Sequence, residues 1–177
     1  MIWYSPQQVE STRLGAGGEI MKDAGKVHHY DSPVGWLELV VSDRGVRSVS
    51  FIPKPKVRQT LPDNPIIQKL VKELDRYFAG ESITFSVPLD PPGGTEFQRE
   101  VWEQLTTIPY GETRSYGEVA EAMGRRRSAR AVGNANGSNS IPIIIPCHRV
   151  IKSDGSLGGY GSGVHIKKFL LNLEGVE

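Results

Sequence analysis

Cysteine is nearly absent from this chain: Cys147 is the only one in 177 residues. That excludes an internal disulfide and a zinc site built from several cysteines, and a lone free thiol points to a reducing compartment. Long hydrophobic runs are also missing, so no segment offers the roughly 20 apolar residues of a membrane-spanning helix. Charge of one sign is not in excess. The 21 Lys and Arg stand against 20 Asp and Glu, a formal net charge of +1. Bulk charge therefore demands no nucleic-acid partner, and any such partner must be met by a local patch. Residues 1–26 lack the basic start, apolar middle and cleavage site of a signal peptide. They are set aside as a leader, with Met21 an equally good natural start.

The one thiol lies in Ile143-Ile144-Ile145-Pro146-Cys147-His148-Arg149-Val150. A lone cysteine is ordinarily a small, inert, buried hydrophobe. Here its neighbours reverse that reading, because thiolate is the reactive form and basic or cationic groups favour it. Adjacent residues do not face one another on a regular strand or helix. His148 therefore reaches the sulfur only if the chain turns sharply at Pro146, or if a water relays the proton; the water relay is expected.

Before residue 90 the texture is mainly that of strands. His28 to Gly35 reads as a strand entering a turn, Trp36–Val41 as a second strand and Val46–Phe51 as a third. A helix capped by Asp63 or Asn64 follows, with Ile66, Ile67, Leu70, Val71, Leu74, Tyr77 and Phe78 at helical spacing. Ile83–Val87 reads as a last strand. Asp90-Pro91-Pro92-Gly93-Gly94 then stops both kinds of element, dividing residues 27–90 from 91–177.

Beyond that boundary the pattern is helical. Thr95 to Thr107 carries Phe97, Val101, Trp102 and Leu105 on one face. Ser115 and Glu118 stand in the capping-box relation for a second helix that closes at Gly124, and a third runs from Ser128 to about Asn136. Two helices joined by a tight turn make a helix-turn-helix candidate, weak by itself. Arg125, Arg126, Arg127 and Arg130 strengthen it, since they gather at the start of the second helix, the end such motifs present to DNA. Residues 153–163 form a glycine-rich loop with one aromatic, Tyr160, and without the lysine of a phosphate loop. Val164 to Leu173 is the final helix.

Pro146-Cys147-His148-Arg149-Val150 resembles the signature of the O6-alkylguanine-DNA alkyltransferases, the suicide DNA-repair proteins. Arg130-Ala131-Val132-Gly133, Asn139, Tyr116, the Gly158-to-Gly163 loop and Glu174-Gly175 fall in the order and spacing of that family. The resemblance is strong from about Thr95 to Gly175 and loose before it. It implies a fold: an α/β N-terminal domain, a small antiparallel sheet with a helix, then a mainly α C-terminal domain with a winged-helix-like helix-turn-helix. That motif enters the minor groove of double-stranded DNA containing O6-alkylguanine, with O4-alkylthymine a second candidate substrate.

Residue by residue, the resemblance makes Cys147 the nucleophile, His148 its water-mediated base and Glu174 the carboxylate that orients His148. Asn139 braces the reactive loop. Tyr116 crowds the phosphate and donates a proton. Arg130 fills the stack left by the flipped base, and Arg125, Arg126, Arg127, Ser128, Ala129 and Asn136 accompany it on DNA. Val150, Leu157, Gly158, Tyr160 and Gly161 form the base pocket. No metal or cofactor and no membrane is implied, and a cytoplasmic monomer is the default, nuclear in a eukaryote. Some relatives carry a larger apolar residue at the place of Asn136 and a serine at that of Gly161. Others bind zinc through N-terminal cysteines and histidines, a form that a single cysteine excludes.

Three other readings compete. A cysteine hydrolase would use Cys, His and a carboxylate, but has no need of the arginine-rich turn. A winged-helix regulator leaves Cys147 and Glu174 without a role. A non-enzymatic lesion binder would need no reactive cysteine.

Overall fold

The computed structural model describes residues 25–56 and 60–176. The expected leader therefore lies outside the described residues, apart from Gly25 and Lys26.

Period-two alternation in the first part produces a three-stranded antiparallel sheet in the order β1 (Lys26–Ser32), β2 (Gly35–Val41), β3 (Val46–Ile52). On the central strand Leu37, Leu39 and Val41 are fully buried and alternate with half-buried Trp36, Glu38 and Val40. Helix α1 (Pro65–Phe78) covers that inner face. Asn64 caps it by accepting from the N–H groups of Ile66 and Ile67, both at 3.0 Å, and Pro65 opens its first turn. Ile67, Leu70, Leu74 and Tyr77 form its buried stripe.

The strand expected at 83–87 does not form. Phe85 and Val87 are buried, so the alternation reports packing and not pairing. The backbone here is satisfied by side chains: Glu73 accepts from the Ser86 N–H at 3.0 Å, and Lys69 donates to the Ser86 carbonyl at 3.0 Å. Only Leu89 makes a bridge, to Val46.

Past the proline-glycine boundary come α2 (Glu96–Leu105), α3 (Tyr116–Ala122) and α4 (Ala129–Gly137). Capping boxes start the first two, Thr95 with Gln98 and Ser115 with Glu118. Gly94, at φ +88°, lies under the Trp102 ring, where a Cβ would meet ring carbon at 2.8 Å. The Trp102 indole donates to the Ala135 carbonyl at 2.8 Å, tying α2 to α4. Short strands β4 (Arg114–Ser115) and β5 (Val150–Ile151) pair in parallel, neither of them evident from sequence. This ladder sets the start of α3 beside the residues that follow Cys147. Helix α5 (Val164–Leu173) closes the fold.

Candidate active site

The reactive segment is shaped by turns. Pro146, at φ −79° and ψ 60°, forms an inverse γ-turn closed by the Cys147 N–H on the Ile145 carbonyl at 2.8 Å. A 3-10 turn over Cys147–Arg149 follows. Upstream, Ile143 has φ +74°, the only positive φ on a non-glycine among the described residues. Asn139 holds this stretch from both sides. Its Oδ1 accepts from the Ile141 N–H and its Nδ2 donates to the Ile145 carbonyl, each at 2.9 Å.

The chain thus turns sharply at Pro146, the alternative that the sequence reading ranked second. Even so, the turn does not bring the imidazole onto the sulfur. His148 is fully buried, and its Nε2 meets Glu174 Oε1 at 2.8 Å. A carboxylate only accepts, so Nε2 carries the proton and Nδ1 keeps its lone pair. That Nδ1 is buried with no hydrogen-bond partner among the described residues.

Glu174, the C-cap of α5, is the hub of this cluster. Arg149 donates to it through Nε at 2.8 Å and Nη2 at 3.0 Å, and through Nη1 to the Ile108 carbonyl at 2.7 Å. The Tyr77 hydroxyl, from α1, donates to Glu174 Oε1 at 2.6 Å. Burial alone would raise the Glu174 carboxyl, but hydrogen bonds and charge from His148 and Arg149 outweigh it and hold the carboxyl at about 2. Burial lowers His148, and the Glu174 carboxylate opposes that shift. Burial raises the Cys147 thiol, while Asn139, Tyr160 and the Lys167 charge act against the rise. Lys167 is itself buried and brought down to about 8. Its ammonium donates to the carbonyls of Val150 and Leu157.

Cys147 opens on a cavity of about 330 Å³, within the range of small-ligand sites, lined also by Tyr116, Asn136, Asn139, Tyr160 and Gly161. Burial and the nearby thiolate keep the Tyr116 phenol above its ordinary value, so it stays protonated. The Tyr160 hydroxyl is buried beside the sulfur and raised likewise. Gly158 does not line the cavity but packs against Tyr116, where a Cβ would sit 3.4 Å from the hydroxyl. Val150 is buried in β5, outside the cavity lining. Leu157, expected to wall the pocket, lines a different cavity with Ile151 and Leu171. The hold of Lys167 on its carbonyl accompanies that placement.

The helix-turn-helix arginines are exposed at the turn between α3 and α4 and on the first turn of α4. Arg125 pairs with Glu100 at 2.7 Å and lies over the Phe97 ring, and Arg126 pairs with Glu121 at 2.6 Å. Arg127 and Arg130 make no ion pair among the described residues. Ser128 is the N-cap of α4 without a side-chain cap bond, and Ala129 is its first residue. Asn136, which the resemblance groups with the DNA-contacting residues, is 6 % exposed and lines the cavity, and its Nδ2 donates to the Cys147 carbonyl at 3.2 Å. It sits on the inner face of α4, which the apolar positions Val132 and Ala135 also occupy. Among the described residues no group of three or more His, Cys, Asp or Glu is placed to hold a metal, and no helix is long and apolar enough to cross a membrane.

Two family models match: the 6-O-methylguanine DNA methyltransferase ribonuclease-like domain over residues 26–91 and the DNA binding domain of the same family over 96–176. The methylated-DNA–protein-cysteine methyltransferase of Methanosarcina acetivorans is 47 % identical over 151 residues, 82 % of this chain and 96 % of that protein. Its counterpart in Mycobacterium leprae is 49 % identical over 147 residues, 81 % of this chain and 88 % of the other. A crystal structure of Mycobacterium tuberculosis OGT in complex with DNA has a TM-score of 0.74 at 47 % identity, covering 84 % of this chain and 91 % of that one. The chain belongs to the 6-O-methylguanine DNA methyltransferase family.

Three residues of the site have partners that the sequence does not show. Arg149 enters the sequence analysis as a cation beside the thiol, whereas its guanidinium is committed to Glu174. Lys167 falls with Ile166, Leu170 and Leu171 on the inward face of α5, a position where lysine is out of place unless its ammonium caps carbonyls. Tyr77 belongs to the apolar stripe of α1, and no sequence signal sets its hydroxyl apart from that stripe.

Proposed function

We propose that this protein is a single-use DNA-repair methyltransferase. It moves the alkyl group of O6-alkylguanine, in double-stranded DNA, onto Cys147. Residues 27–90 form the supporting domain and residues 91–177 carry the chemistry. The observation that carries this reading is the buried thiol lining a cavity, next to a histidine whose Nε2–H is committed to Glu174. The remaining imidazole lone pair, on Nδ1, is the only basic nitrogen left on that ring.

In the reaction, a water between Cys147 and His148 carries the thiol proton to Nδ1. The thiolate sulfur forms a bond to the alkyl carbon as the bond from that carbon to O6 breaks, and guanine leaves as an anion. Tyr116, held protonated, supplies the proton that neutralises it. Glu174 fixes the imidazole tautomer and stabilises its protonated form. Arg130, exposed on the first turn of α4, fills the stack while the base is out, with the neighbouring basic turn on the phosphates; extrusion costs a few kcal/mol. Tyr160 and Gly161 close over the base. The thioether product has no easily hydrolysed bond, so each molecule acts once. A cytoplasmic site of action goes with a free thiol that must stay reduced.

The test is intact-protein mass after mixing with a duplex carrying one O6-methylguanine. A stoichiometric gain of one methyl group, absent in Cys147→Ser, is expected. Tight lesion binding without mass gain would replace this reading with that of a recognition protein.

A further inference from the structure

Asn136 lines the cavity beside the nucleophile, and its amide is fixed in orientation. The Cys147 carbonyl can only accept a hydrogen bond, so the end of the amide that meets it at 3.2 Å is the nitrogen. The other end, Oδ1, is buried and accepts nothing from any described residue. Buried acceptors without a donor are rare and costly. The other side-chain acceptor braced against this segment, Asn139 Oδ1, is satisfied by the Ile141 N–H. On a residue that lines the cavity beside the thiol, an acceptor left without a partner calls for a donor that arrives with the ligand.

We propose that Asn136 is a specificity-determining residue whose Oδ1 accepts an N–H of the exocyclic 2-amino group of the extruded base. This rests on the alkyltransferase reading and adds to it a choice among bases. Alkylation at O6 leaves N1 without a hydrogen, so N1, N3 and O6 of the lesion offer lone pairs only. The 2-amino group is then the one N–H donor on the base. Its two hydrogens match two neighbouring acceptors, Asn136 Oδ1 and the second lone pair of the Cys147 carbonyl to which Asn136 is bonded. An O4-alkylated thymine has no N–H at all, and leaves Oδ1 buried and unpaired. A site built to receive an N–H penalises the analogue that lacks it.

The experiment measures the rate of methyl transfer, by intact mass, from duplexes carrying O6-methylguanine or 6-O-methylhypoxanthine, which is the same lesion without its 2-amino group. Wild type is expected to prefer the guanine lesion. Asn136→Leu should reduce that preference about tenfold, the scale of one hydrogen bond to a buried acceptor. Both rates come from the same variant, so a loss of stability or of thiol reactivity scales both and cancels. If Asn136→Leu does not fold, Asn136→Met is read for the same ratio. A preference unchanged from wild type would overturn the inference and leave Asn136 as a brace of the Cys147 backbone. Equal rates on the two duplexes in wild type would overturn it as well. A wild type that takes no methyl group from either would instead overturn the alkyltransferase reading beneath it.

Discussion

The start of α4 and the surroundings of Glu174 both gather cations, and they treat them in opposite ways. At α4 the guanidinium groups are in water, two of them in solvent-exposed pairs and Arg127 and Arg130 in none among the described residues. Exposed pairs of this kind contribute about 0–1 kcal/mol each, so the fold does not depend on them and they are free to meet phosphate. Around Glu174, Arg149 and His148 are buried with a single carboxylate, and every donor is aimed. There, removing one partner strands a charge out of water. The same residue type is thus left in water at one place and built into the interior at the other, and substitutions in the two regions should separate stability from DNA affinity.

The largest effect is expected from Arg149→Ala, which leaves Glu174 buried without its main counter-charge. A loss of about 3–5 kcal/mol in chemical denaturation should follow. A loss below about 1 kcal/mol would mean that His148 and Tyr77 suffice to hold the carboxylate.

Acid titration tests the same cluster without mutation. The folded state binds the His148 proton less readily than the unfolded chain, whose ordinary value is 6.5. The stability this confers is present above pH 6.5 and falls as the pH drops below it. Glu174, depressed from 4.5 to about 2, adds a second loss as the pH falls through that interval. Denaturation midpoints that stay flat as the pH is lowered from neutrality to about 3 would contradict both.

A smaller effect is expected from Tyr77→Phe. The hydroxyl donates a charge-assisted bond to Glu174 from the other side of the domain boundary, and its loss should cost about 2 kcal/mol. Alkyl transfer should slow as well, since Tyr77 helps position the carboxylate that orients His148. An unchanged rate at lowered stability would confine Tyr77 to the fold.

The smallest change in stability belongs to the surface. Arg127→Ala and Arg130→Ala should each shift stability by no more than about 0.5 kcal/mol. Arg127→Ala should also reduce the slope of log affinity against log salt by about 1 for each phosphate no longer neutralised, whereas Arg130→Ala should cost lesion affinity with less change in that slope. If Arg130→Ala destabilised the fold as Arg149→Ala does, the contrast between the two regions would fail.

That contrast also explains what could be read from sequence. The capping box at Ser115 and the limits of α5 depend on residues within a turn of each other, and they were legible. Cys147, His148 and Glu174 were picked out through a short signature and a family likeness, and the pairing of the last two is what the fold brings about. Tyr77 was not legible, because it meets Glu174 across 97 positions of chain and nothing local marks its hydroxyl. The strand expected at 83–87 failed for the opposite reason. Its alternation was real, but it recorded which side chains face the core, while the backbone found partners in Glu73 and Lys69. That Asn136 braces the Cys147 carbonyl was not legible either, because the bond joins two segments eleven residues apart that only the fold brings together.

Ile143, finally, holds a β-branched side chain at a left-handed backbone angle, four residues before the thiol. Such a conformation costs on the order of 1–3 kcal/mol and lasts only while its surroundings impose it. The stretch that presents the sulfur is thus kept in shape by its neighbours, Asn139 first among them, and not by its own preference. An enzyme that turns over must return this stretch intact after every cycle. A protein spent in one event carries no such obligation, and can keep its reactive segment in a state that need not outlast the reaction.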